Sequence, residues 1–361
     1  MKKMKILIIG NMGYVGPGVV KQLRVSYPEA ELVGFDMGYF ANRLTYTDIL
    51  PEIRLDQQIF GDVRQFPVKL LTDVDAVIYL AAISNDPMGA KYEEITLDVN
   101  FRSCIKIAIQ AREAGVKSFV FASSCSMYGA ADLYAKTEKD SLNPLTAYAR
   151  SKVFAEQELE PLANNNFTIT CLRFATACGM SNRLRLDLVL NDFVAGAVAS
   201  KEINILSDGT PWRPLINVLD MGRAIDWAIT REPSNGGSFL AVNAGSNQWN
   251  YQVKELAEAV AEIVPGCKVT VNKNAEPDKR SYKVNFDLYA KLAPDHQPAH
   301  DLQTTIKILY EALTKMGMKD PKFRESKYMR LKVLAGLQEN GFLNGNLTWT
   351  WQHQKVTIDD I

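Results

Sequence analysis

The chain has 361 residues, 47% of them apolar and 23% charged, with 41 Lys plus Arg balancing 41 Asp plus Glu. That mixture belongs to folded globular chains and excludes intrinsic disorder, collagen and coiled coil. Zero net charge argues against a nucleic-acid binder working through a diffuse positive field, and no apolar run nears the ~18 residues of a membrane span.

Basic residues open the chain, but the apolar run behind them, Ile6 to Ile9, lasts four residues and meets no Ala-x-Ala site. It therefore reads as a first strand, Lys5–Ile9, rather than a secretory signal. Leu32–Phe35, Ala76–Leu80, Phe119–Ala122 and Thr168–Leu172 are further short runs of Val, Ile, Leu and Phe between turn residues, the mark of strands buried on both faces. Between them lie helical stretches. Pro17–Arg24 has proline in its first turn, Ile95–Ala114 stops at Gly115, and Ala147–Leu162 follows Asn143-Pro144. The alternation predicts an α/β fold, a doubly wound parallel sheet with helices on both faces.

Beyond this the pattern loosens. Ser181–Ala199 reads as a helix, Ile216–Thr230 as a strand then a helix, Phe239–Val242 as a strand and Tyr251–Val264 as a helix. Lys268–Val271 and Tyr282–Asn285 read as extended, and Asp320–Asn340 as a basic amphipathic helix whose leucines suit ordinary packing. With no repeat or low-complexity tether, the expected division is a doubly wound domain over 1–178 with a returning segment 214–245, and a smaller interleaved C-terminal lobe over 179–361.

Five cysteines (Cys104, Cys125, Cys171, Cys178 and Cys267) form no C-x-x-C pair, which fits reduced thiols in a cytoplasmic protein without structural zinc. All three histidines fall late in the chain and no G-x-S-x-G elbow is present, so a Ser-His-Asp hydrolase is disfavoured.

Three motifs carry chemistry. Gly10-Asn-Met12-Gly13-Tyr14-Val15-Gly16 follows a strand and opens a helix, where glycines let backbone approach a pyrophosphate set on the helix N-terminus. Asp36 closes the next strand twenty residues after Gly16; a carboxylate there accepts from an adenosine ribose and repels a 2′-phosphate, favouring NAD over NADP. Gly61-Asp62-Val63-Arg64 closes the third strand, where Asp62 suits either the adenine amino group or a helix cap. In the second motif, Tyr148 and Lys152 are four apart on a helix and share a face, and an ammonium there stabilises a phenolate. The third, Ser123-Ser124-Cys125-Ser126, ends the strand before them, where ligands sit in open parallel sheets.

Together with Leu80-Ala81-Ala82, Asn100, the LRFATACG and WRPLINVLD stretches and PDKRSY, these motifs make the chain resemble the extended short-chain dehydrogenase/reductase family. Within it the likeness is to the NAD-dependent nucleoside-diphosphate-sugar epimerases and dehydratases. The resemblance implies a catalytic Ser124, Tyr148 and Lys152. It implies an NAD site along Gly10, Met12, Gly13, Tyr14, Val15, Gly16, Asp36, Asp62, Val63, Leu80, Ala81, Ala82 and Asn100, completed by Tyr148 and Lys152. It implies a nucleotide-sugar site from Ser84, Ser124, Ser126, Thr176, Arg183, Arg185, Asn191, Arg213 and Arg280. Several epimerases place asparagine where Thr176 stands. Dehydratases of this family carry an acidic pair after the catalytic Ser/Thr; here those positions are Cys125 and Ser126, which argues against 4,6-dehydration. The implied activity is C4 epimerisation through a transient 4-keto sugar. Its rivals are a net oxidoreductase on a nucleotide sugar and a non-catalytic NAD-binding scaffold. A homodimer through Ile95–Ala114 and Ala147–Leu162 is implied, with no membrane or nucleic-acid partner.

Overall fold

The computed structural model describes residues 3–45, 47, 49–84, 86–130, 134–272 and 281–350. In chain order the elements are β1 (Lys5–Ile9), α1 (Gly16–Ser26), β2 (Glu31–Asp36), β3 (Gln57–Phe60), β4 (Ala76–Tyr79), α2 (Asp86–Lys91) and α3 (Glu93–Leu97). Then come α4 (Ser103–Glu113), β5 (Ser118–Ser124), α5 (Ala147–Leu159), β6 (Thr168–Phe174), β7 (Thr176–Cys178), α6 (Val189–Ser200), β8 (Glu202–Ile205), β9 (Trp212–Asn217) and α7 (Val218–Thr230). Last are β10 (Phe239–Ala244), β11 (Asn250–Gln252), α8 (Val253–Ile263), β12 (Lys268–Val271), α9 (Asp287–Leu292), α10 (Leu302–Lys315) and α11 (Arg330–Glu339).

Seven parallel strands run β10-β6-β5-β4-β1-β2-β3. The order reverses between β1 and β4, opening a crevice at the carboxyl ends of the strands. Apolar residues on both sheet faces are covered: α1 and α7 close one, α4 and α5 the other. The chain leaves this sheet after β6 and rejoins its edge as β10. A smaller sheet, β11-β9-β7, begins at Thr176, so its first strand lies inside the span assigned to the nucleotide-binding domain.

Three helices differ from expectation. The stretch over Ile95–Ala114 is interrupted by a π turn at Asp98–Arg102, which swings Asn100 inward. Helix α6 starts only at Val189; residues 181–188 are a loop whose polar side chains bridge to other segments. Helix α11 starts at Arg330, ten residues late.

A third apolar cluster lies at the chain's end. Leu334, Leu343 and Leu347 pack with Ile83, Met88 and Tyr92. The Trp349 indole donates to the Met37 carbonyl at 2.7 Å, the Tyr39 hydroxyl donates to the Leu347 carbonyl, and Arg64 donates to the Asn346 carbonyl at 2.7 Å. This strap holds the loop after β2.

Below the end of β5, Glu156 accepts from the Ser123 hydroxyl at 2.6 Å and pairs with Arg173 at 2.7 Å, both side chains being under a tenth exposed. Removing one partner of such a pair leaves a buried charge. Glu156→Leu should lower stability by about 3–5 kcal/mol in urea unfolding. Adding Arg173→Met should recover most of that loss; a double variant no better than the single would show that the pair is not the source.

Candidate active site

A cleft of about 1030 Å³ opens at the carboxyl ends of the strands. Its floor is the first glycine loop. Gly10 has φ of +90°, and a Cβ on it would lie 2.4 Å from the Ala81 nitrogen. Gly16 is pressed against Asn11, its Cβ position only 1.9 Å from that carbonyl oxygen. These two glycines serve the turn and the packing of loop on helix. Gly13 differs: nothing in the chain crowds it nearer than 3.6 Å, and it lines the cleft with Tyr14 and Val15. Helix α1 begins there with no side-chain cap and no acidic residue in its first turn. Pro17 has no N–H and the Gly18 N–H bonds the Val15 carbonyl, so what this helix start offers an anion is the positive end of its dipole.

Asp36 faces the cleft beside this loop, its carboxylate accepting from the Met12 N–H at 2.9 Å and the Gly38 N–H at 2.7 Å. Burial raises its carboxyl, and those two hydrogen bonds oppose the rise. Met12 is buried and does not line the cleft; its part is to fix Asp36. Asp62 and Val63 do line it, but Arg64 engages both Asp62 oxygens and Asp62 also caps the turn that follows. The cap reading therefore accounts for much of Asp62. Leu80, Ala81 and Ala82 line the wall beyond β4. Asn100 stays outside the cleft, fully buried. Its amide clasps the Ile83 backbone at 2.8 and 3.1 Å and donates to Ser151 at 3.1 Å, bracing that wall against α5.

Ser124, Tyr148 and Lys152 meet on the opposite wall. The Ser124 hydroxyl donates to Ser126 at 2.9 Å. Burial pushes the Tyr148 phenol up; its hydrogen bond with Ser124 and the Arg185 charge pull it back. The Lys152 ammonium donates to the Ala122 carbonyl at 2.7 Å and lies 4.5 Å from the Phe121 ring centroid and 5.6 Å from that of Tyr148. It is 1% exposed, and burial lowers it to about 8. The carboxylate one turn on, Glu156, is held by Arg173 and offers little relief.

Among the residues implied for substrate, Ser84, Ser126, Thr176, Arg185 and Arg213 line the cleft. Arg185 is fixed in place, donating to Asp187 at 2.6 and 2.9 Å and to Ser84 at 2.9 and 3.0 Å. Arg183 does not reach the cleft. It is fully buried, paired with Glu52 at 2.6 Å and bonded to the carbonyls of Phe40 and Ala41. Asn191 is also fully buried and outside the cleft: it donates to Tyr14 and Arg185 and accepts from the Gly179 N–H. These two join segments, because their polar atoms already have partners within the chain. Arg280 lies outside the described residues. Asp86, two residues after Ser84, and Tyr282, the last residue of the PDKRSY stretch, also line the cleft; Arg324 and Arg330 line it too and had no motif to mark them. Among the described residues, no three His, Cys, Asp or Glu side chains group as metal ligands, and no helix is long and apolar enough to cross a membrane.

An uncapped helix start, an uncrowded Gly13 and a carboxylate at the end of β2 fit an adenine dinucleotide, and the fold and site together define a Rossmann-type dinucleotide enzyme. Residues 6–245 match the model of the NAD dependent epimerase/dehydratase family. The chain belongs to that family, whose cofactor is NAD. It is 25% identical to a UDP-glucose 4-epimerase of Rhizobium meliloti over 328 residues, 84% of this chain and 94% of that one. It is 24% identical to UDP-arabinose 4-epimerase 1 of Arabidopsis thaliana, covering 70% and 66% respectively. The fold matches a UDP-glucose-4-epimerase of Stenotrophomonas maltophila with TM-score 0.74 at 21% identity, over 87% of this chain and 99% of that one. It matches an NDP-hexosamine 5,6-dehydratase of tunicamycin biosynthesis equally well, with TM-score 0.74 at 22% identity over 87% and 98%.

The Lys152 environment sets a pH dependence. Its ammonium titrates near 8 in the folded chain and near 10.5 when unfolded, so between these values the folded state binds fewer protons and gains stability as pH rises. Nucleotide-free Lys152→Met should therefore hold its greatest stability relative to wild type at pH 7. That relative gain should shrink as the pH is raised through 8 toward 10.5 in urea unfolding. A difference that does not change with pH would place the ammonium in solvent.

Proposed function

We propose that this protein is a UDP-sugar 4-epimerase in which Tyr148 is the general base. NAD, when bound, supplies a hydride acceptor that returns the hydride within the same turnover. The chain's own part is proton handling and positioning. Tyr148, lined up with Ser124 at the cleft wall, takes the proton of the C4 hydroxyl as the 4-keto sugar forms and gives it back after the sugar turns. The Ser124 hydroxyl holds the C4 oxygen. The buried Lys152 charge beside the phenol ring favours its ionised form. Arg185 and Arg213 offer guanidinium groups to the substrate's diphosphate.

One observation carries the choice of epimerisation over elimination. A 4,6-dehydration needs an acid and a base beside the sugar, and the residue after Ser124 provides neither. Cys125 is fully buried, its thiol donating to the Arg173 carbonyl at 3.0 Å, and burial pushes that thiol far up. Ser126 adds only a hydroxyl. The 4-epimerase relatives support the same reading; the solved structures, which include a dehydratase, speak only to the fold.

The test is incubation of purified protein with UDP-, GDP-, dTDP- and CDP-sugars without added cofactor, read by mass and proton NMR. Unchanged mass with a new sugar spectrum is expected. Loss of water would establish a dehydratase and loss of two hydrogens an oxidoreductase. Tyr148→Phe should lower kcat about 10³-fold while bound NAD is retained.

We also propose a homodimer through α4 and α5, the faces that leave Phe154 39% exposed against Phe101. Phe154→Arg should convert it to monomer in light scattering; an unchanged mass would place the contact elsewhere.

A further inference from the structure

Arg330 opens helix α11, outside the segment matched by the family model. Its side chain is 2% exposed and lines the cleft. Nη2 donates to the Arg183 carbonyl at 2.7 Å, and the guanidinium lies 4.0 Å from the Phe40 ring centroid. Nη1 is buried with no hydrogen-bond partner. Among the described residues no carboxylate pairs with it; the nearby Asp187 is engaged by Arg185. A buried guanidinium with one unmet donor is strongly unfavourable. The position makes it worse. Arg330 is the first residue of its helix, where the dipole is positive and a cation is the wrong sign. Burial and the neighbouring Arg185 and Arg183 charges lower its basicity to about 9. The Arg183 carbonyl, the Phe40 ring and the nearby Asp187 charge offset this only in part and leave Nη1 unmet, whereas an anion in the cleft would answer the unmet donor and the helix dipole together.

We propose that Arg330 is a diphosphate ligand of the cleft, donating from Nη1 to the pyrophosphate of the bound dinucleotide. The diphosphate of a sugar nucleotide has the same chemistry, so the source must be argued. Phe40, beneath the guanidinium, belongs to the loop that follows Asp36. The strap that carries Arg330 also binds Met37 and Tyr39 of that loop. The residue is therefore tied to the loop that follows Asp36, on the adenosine side of the cleft. The start of α1 and Arg330 would then grip the pyrophosphate from two sides. The inference rests on the dinucleotide reading of the cleft and is independent of which sugar reacts.

The experiment uses full-length protein stripped of nucleotide. Binding of NAD, ADP, adenosine and UDP is measured by calorimetry for wild type, Arg330→Gln and Arg330→Lys. Losing one charge-assisted hydrogen bond corresponds to a loss of affinity of about 10- to 100-fold. Arg330→Gln should lose that factor for NAD and ADP, with adenosine and UDP unchanged and a smaller salt dependence. Arg330→Lys should fall between, keeping the charge but not the fork. The ligand-free melting temperature should hold or rise in Arg330→Gln, since an unmet buried donor is removed, and should not fall in Arg330→Lys, which separates a ligand role from a structural one. Unchanged NAD affinity would overturn the proposal. Loss for UDP but not NAD would overturn the choice of source. Equal loss for adenosine, with a lowered melting temperature, would make Arg330 structural. Wild type that binds no adenine dinucleotide would overturn the cofactor reading and this one with it.

Discussion

A lysine ammonium placed where almost no water reaches it is the constraint around which the catalytic wall is arranged. Lys152 has a backbone carbonyl and two aromatic rings for company, and the one carboxylate within a helical turn is drawn off by Arg173. Had Glu156 been free to pair with it, the positive charge would be neutralised before it could act on Tyr148. The Ser123–Glu156–Arg173–Tyr128–Asn243 chain of hydrogen bonds therefore does two things. It anchors the ends of β5 and β6, and it keeps an acid away from the ammonium that lies beside Tyr148.

The two parts of the molecule are fastened at the glycine loop. The Tyr14 hydroxyl donates to the Gly179 carbonyl at 2.6 Å and receives from Asn191, while Arg183 reaches back across the chain to Glu52. These are interior bonds of segments that also line the cleft. A ligand settling against α6 and the loop before it would press on the same residues that hold the glycine loop. The side chains that fail to reach the cleft thus still set the distance between its two halves.

The sequence made the cofactor half readable because its rules are local. A strand, a glycine turn and a helix occupy twenty-odd consecutive residues, and the acidic residue follows at a fixed interval. Glycine spacing did not distinguish Gly13, which leaves room for a ligand, from Gly10 and Gly16, which serve packing; only the nearness of Ala81 and Asn11 separates them. The substrate half was harder. An arginine in a loop reads the same whether it meets a phosphate or a glutamate, and Glu52 lies 131 residues from Arg183. Arg330 had no signal at all, since its character comes from what surrounds it. Helix α10 was legible and was missed: Leu302, Ile306, Leu309 and Leu313 repeat at helical spacing behind the capping Asp301. The π turn that brings Asn100 inward leaves no mark in the amphipathic pattern.

The strap has a consequence for how the site is assembled. Its bonds join residues 308 and 312 positions apart, Tyr39 to Leu347 and Met37 to Trp349. The glycine loop and its sheet neighbours β2 and β4 come from the first eighty or so residues, whereas the outer wall beside Tyr39 and Phe40 needs residues from the far end of this sequence. Without residues 334–349, Tyr39 and Phe40 would lose the apolar side chains that cover them. Closing that wall therefore costs far more loop-closure entropy than forming the glycine turn does.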